Sequence, residues 1–98
     1  VKEFFITRDP TYGLDPSELR WQVELKNTTT TGTTYAALIL DNTSTMGTTS
    51  VTGTDYSLWT GSTAVSLTTG THLVQLKIYT SDTSSTAYTR MLELYAYT

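Results

Sequence analysis

The chain has 98 residues and no cysteine, which allows one domain with a single two-layer core and excludes disulfides and thiolate metal sites. A net charge of -3, with the six Lys and Arg scattered at 2, 8, 20, 26, 77 and 90, argues against a nucleic-acid surface, which needs clustered cations. Serine and threonine (9 and 24 residues) make up about a third of the chain while charged residues are only 15%, a composition of half-exposed β-strands and not of disorder.

In chain order, Lys2 to Thr7 reads as the first strand, with Phe4 and Ile6 on one side and Phe5 on the other. A proline-containing linker, residues 9–17, follows it. Ten extended residues span about 33 Å, so the segment 1–8 is expected either to open its own sheet or to act as a donor strand in a neighbour's. The second reading makes Phe4, Phe5 and Ile6 assembly residues.

"SELRWQVELK" alternates strictly: Leu19, Trp21, Val23 and Leu25 form a buried face, and Glu18, Arg20, Gln22, Glu24 and Lys26 a solvated one. In "KNTTTTGTTYAALILDNTS" the run Tyr35 to Leu40 is expected to be a central strand covered on both faces. Asn27-Thr28-Thr29 and Asn42-Thr43-Ser44 fit the N-x-[ST] acceptor pattern and are expected in turns, so Asn27 and Asn42 are glycosylation candidates. Weaker strands are predicted at Thr49 to Thr52, Asp55 to Trp59 and Ala64 to Leu67. Trp59, beside Gly61 and opposite in parity to Leu58, reads as a surface residue able to stack on a sugar ring.

"HLVQLKIYT" alternates again, with Val74, Leu76 and Ile78 inside. His72 is the sole histidine and is read as facing solvent, so no histidine-cluster metal site can be built. In the last strand, Ala87 to Tyr97, Leu92, Leu94 and Ala96 share one face. Met91, Tyr95 and Tyr97 share the other, interrupted only by Glu93, and are expected to form a contact surface for assembly. No nucleophile motif, calcium loop or cofactor motif is present, and no apolar stretch approaches the ~20 residues of a membrane helix. The start at Val1, with no signal peptide in the sequence, is read as a processed or trimmed end.

About eight short strands separated by turns predict an all-β, antiparallel two-sheet β-sandwich, jelly-roll-like, with an immunoglobulin-like fold as the alternative. The segment "VSLTTGTHLVQLKIYTSDTSSTAYTRMLELYAY", through Leu67, Gly70, His72, Val74, Leu76 and Tyr79, resembles the last strands of jelly-roll modules in microbial surface proteins, viral fibres and carbohydrate-binding domains. The N-terminal segment on its linker resembles donor-strand subunits of surface filaments. These resemblances imply a non-catalytic extracellular, cell-surface or virion-surface subunit that polymerises with copies of itself. A virion fibre or decoration protein and a carbohydrate-binding module, with glycans as partners, are the alternatives.

Overall fold

The computed structural model describes residues 2–81 and 83–98; Val1, the first residue of the expected donor segment, lies outside them, as does Asp82. Seven strands are found among the described residues: β1 (Lys2–Arg8), β2 (Glu18–Asn27), β3 (Thr33–Leu40), β4 (Ser44–Thr52), β5 (Ser57–Ala64), β6 (Gly70–Thr80) and β7 (Ala87–Tyr97). The strand predicted at Asp55–Trp59 runs on as β5 to Ala64, the one predicted at Ala64–Leu67 does not form because Val65 to Leu67 lie in the connection to β6, and β4 begins at Ser44 and not at Thr49. They form two antiparallel sheets, ordered β1-β6-β3-β4 and β5-β2-β7. Apart from the β3–β4 hairpin, successive strands cross from one sheet to the other, which gives the sandwich its jelly-roll-like course.

Alternation decides what lies between the sheets. Leu19, Trp21, Val23 and Leu25 of β2 meet Ala36 and Leu38 of β3 and Val74 and Leu76 of β6, all essentially inaccessible to water. Full burial of one such large side chain contributes roughly 1.5–3 kcal/mol. Phe4, Ile6, Met46, Trp59, Leu92 and Leu94 pack around this centre.

β1 completes its own sheet. It pairs along its full length with β6, from Lys2 opposite Leu76 to Arg8 opposite Gly70. Phe4 and Ile6 pack on the core, whereas Phe5 is 72% exposed on the outer face. The following linker is not extended. It makes a 3-10 turn at Pro10–Tyr12, an Asp9–Leu14 bridge and an Arg8–Asp15 ion pair of 2.9 Å, and Ser17 N–H donates to the Tyr97 carbonyl at 2.7 Å. Of the two readings of the segment, residues 2–8 follow the first and pair within their own chain, and the linker folds back on itself.

The run Tyr35 to Leu40 also departs from expectation. Ala36 and Leu38 face the core, but Tyr35, Ala37 and Ile39 lie on the outer face of the first sheet, where no second layer covers them. Neighbouring side chains shield this face instead: Tyr35 stacks on Tyr79 with ring centroids 5.0 Å apart. The strand turns into β4 through the three residues Asp41 to Thr43, with Asp41 and Asn42 at positive φ (50° and 64°), a backbone that Asp and Asn tolerate.

Candidate functional site

The outer face of β5-β2-β7 gathers the polar face of β2 and the aromatic face of β7. Antiparallel register sets Arg20 opposite Tyr95, Gln22 opposite Glu93, Glu18 opposite Tyr97 and Glu24 opposite Met91. Met91, Tyr95 and Tyr97 therefore do share one outer face, but Glu93 is no interruption of it. Its Oε2 accepts from Gln22 Nε2 at 2.7 Å and from the Tyr95 hydroxyl at 2.9 Å. Those bonds hold the tyrosine phenol above its ordinary value, first by the hydrogen bond and then by the carboxylate charge, so it stays a donor.

Arg20 lies with its guanidinium carbon 4.2 Å from the Tyr97 ring centroid and donates to Glu18 at 2.6 Å. With Thr60 of β5 these groups border a shallow groove of about 280 Å³. Tyr95 and Tyr97 remain 52% and 41% exposed, and their rings are fixed at the rim by Glu93 and Arg20. Such a surface offers aromatic faces for stacking beside hydrogen-bonding groups already in place.

Charge on this face is balanced. Glu18, Glu24 and Glu93 are matched by Arg20, Lys26 and Arg90, so the net charge of -3 resides elsewhere on the chain. Glu24 pairs with Arg90 at 2.6 Å and not with Lys26. Pairs this exposed contribute little to stability; their effect is to leave the face without net charge, with Lys26 over the Tyr56 and Tyr88 rings and Glu93 bonded to Gln22 and Tyr95.

Trp59 belongs to the interior. It lies opposite Val23 and packs against Trp21 with centroids 4.4 Å apart, while Leu58 points out and is 56% exposed. Gly61 makes room for it, since a Cβ there would collide with the Trp59 ring. The exposed rings on the outer face of this sheet are instead Tyr95 and Tyr97.

Asn27 is likewise buried, 1% exposed, and cannot carry a glycan in the folded chain. Its position at the end of β2 read as a turn, but its amide is bonded to groups from three other segments. Asn42 is exposed in the β3–β4 turn.

His72 was expected to face solvent, yet its side chain is 11% exposed. It shares the inward parity of Val74, across from Ile6 of β1. Nδ1 lies 2.7 Å from Asp41 Oδ2 and Nε2 lies 2.8 Å from the Thr68 carbonyl. Both partners are acceptors, so the ring donates from both nitrogens only as imidazolium, and its pKa is raised above 6.5, chiefly by the Asp41 bond. Asp41 is correspondingly lowered, by His72 and by the Leu73 N–H. A raised histidine value gives stability that is complete below the unfolded pKa near 6.5 and is lost as pH rises through the folded value. For Asp41 the loss comes on the acid side instead. We expect the melting temperature to fall between pH 6 and 8.5, and His72→Gln to flatten that limb; parallel curves for the two proteins would refute the linkage.

No protein-family model and no curated protein matches the chain. Among solved structures the fold is similar to that of a carbohydrate-binding module, CBM36, in complex with calcium and xylotriose. The TM-score is 0.66 and the identity 17%, over 95% of this chain and 71% of that one. At that identity the likeness establishes the fold alone. Among the described residues, no three His, Cys, Asp or Glu side chains cluster closely enough to hold a metal ion.

Proposed function

We propose that the chain is a non-catalytic carbohydrate-binding module, acting outside the cell, that holds a neutral polysaccharide against the outer face of β5-β2-β7. The observation that carries this reading is the joint placement of exposed Tyr95 and Tyr97 with Arg20, Gln22 and Glu93 at the rim of one groove. Sugar rings present apolar faces of C–H groups, which suit an aromatic ring, and edges of hydroxyls, which suit carboxylate, amide and guanidinium. The fold likeness supports the reading at the level of architecture.

Self-assembly into a filament has less support. Its mechanism needed a free N-terminal strand, and β1 is already paired along its length with β6. Met91, Tyr95 and Tyr97 then act as ligand-facing residues and not as an assembly seam. Asn42 remains the acceptor to examine if the native protein is itself glycosylated.

Affinity electrophoresis in gels containing soluble xylan, mixed-linkage glucan or mannan tests the proposal. Retardation by at least one neutral polysaccharide is expected, undiminished by a chelator, since the groove's polar groups Arg20, Gln22, Thr60 and Glu93 are offered to the sugar directly. Migration unchanged in all of them, with no heat of binding by calorimetry, would overturn it.

A further inference from the structure

The same sheet face carries a second aromatic cluster that the groove does not use. At its far end Lys26 Nζ lies 4.8 Å from the Tyr56 ring centroid and 5.4 Å from that of Tyr88, and the Arg90 guanidinium lies 4.3 Å over Tyr56. Tyr88 is 43% exposed. Simple alternation along β7 would put Tyr88 on the face opposite Tyr95 and Tyr97. A bulge prevents this: the register shifts between Glu24 and Leu25, so that Glu24 faces Met91 and Leu25 faces Thr89, with Arg90 as the extra residue. Arg90 turns outward onto Glu24, and Tyr88 comes opposite Lys26 on the outer face.

Taking the carbohydrate reading as its basis, we infer that the ligand is an extended neutral glycan chain lying lengthwise along β2, gripped by Tyr95 and Tyr97 at one end and by Tyr88 and Tyr56 at the other. Arg20 and Lys26 are six residues apart on one strand, about 20 Å at ~3.3 Å per residue. The floor between them is polar where Gln22, Glu93 and Thr60 stand, and apolar where Leu58 and Met91 flank Glu24.

Size and charge choose the occupant. Three strands at ~4.8 Å spacing make a strip about 10 Å wide, so the whole track offers on the order of 200 Å². A stable protein partner needs roughly 800 Å²; a single linear polymer does not. The strip carries three cations (Arg20, Lys26, Arg90) and three carboxylates (Glu18, Glu24, Glu93), so it has no net charge to attract a polyanion. A neutral chain loses nothing by that balance.

Calorimetry with xylo-, gluco- and manno-oligosaccharides, from disaccharide to hexasaccharide, tests the length dependence. In whichever series binds, the wild-type protein is expected to gain about tenfold in affinity across the ladder, a second site's worth of ~1.4 kcal/mol. Tyr88→Ala, shown folded by circular dichroism, should lose most of that gain, while Tyr95→Ala weakens every length. Equal affinity for short and long oligomers, or a Tyr88→Ala ladder as steep as the wild type, overturns the lengthwise track while leaving a groove that binds sugar. No binding at any length overturns the carbohydrate reading, and the track with it.

Discussion

Tyr95→Ala is expected to weaken binding of a neutral polysaccharide by roughly tenfold to a hundredfold while leaving the fold intact. Loss of the contact area of one aromatic ring is worth about 1.5–3 kcal/mol, which converts to that range. The ring sits 52% exposed near the end of an edge strand, away from the core, so its removal should leave the melting temperature nearly unchanged. The substitution also releases Glu93 from one of its two donors and loosens the groove's central acceptor. Tyr95→Phe separates the two effects, since it keeps the stacking surface and deletes only the hydroxyl. Titration calorimetry should show Tyr95→Phe retaining most of the affinity that Tyr95→Ala loses. An unchanged dissociation constant for Tyr95→Ala would place the ligand elsewhere.

Asn27→Ala should destabilise the fold by about 2–4 kcal/mol, a large part of the ~5–15 kcal/mol that small domains possess. The side chain joins three strands at one end of the sandwich. Its Nδ2 donates to Thr34 Oγ1 at 3.3 Å on β3 and to Thr80 Oγ1 at 3.2 Å on β6, while Oδ1 accepts from the Thr29 N–H at 3.1 Å and the Thr29 hydroxyl at 3.3 Å. Thr34 passes the network on to the Lys26 carbonyl at 2.7 Å, and Thr80 pairs with Ser85 at 2.7 Å. Gly32 belongs to the same arrangement, because a Cβ there would strike Asn27 and Thr29. Alanine leaves several of these groups without a partner at a site where the side chain is buried. Urea unfolding followed by tryptophan fluorescence should show the loss, and the melting temperature should drop by roughly 10–30 °C. A change below 0.5 kcal/mol would mean that the network contributes no net stability.

The candidate site was half legible. Parity along β7 put Tyr95 and Tyr97 together on an outer face, because alternation of side chains is a property of a single strand. Their partners were not legible. Arg20, Gln22 and Glu93 read as a solvated surface, and only the register of β7 on β2 makes them the rim of a groove. Trp59 was misplaced for a related reason. Its own neighbours suggest a surface position, and its pairing opposite Val23 turns it into the core.

The sequence by itself determined the all-β class, the inner faces of β2 and β6, and the two-layer core, since a period of two is local geometry and a face whose opposite is polar must be the buried one. Everything that depends on which distant segment lies alongside was decided by the tertiary structure. That covers β1 closing its own sheet, the open outer face of β3, Asn27 sealed among threonines from β3 and β6, and the bulge that brings Tyr88 to the face of Tyr95. A strand's alternation fixes two sides and not which is wet, and a single extra residue reverses them. Polar side chains such as Asn27 are buried only where other segments supply partners, and that supply is a long-range fact.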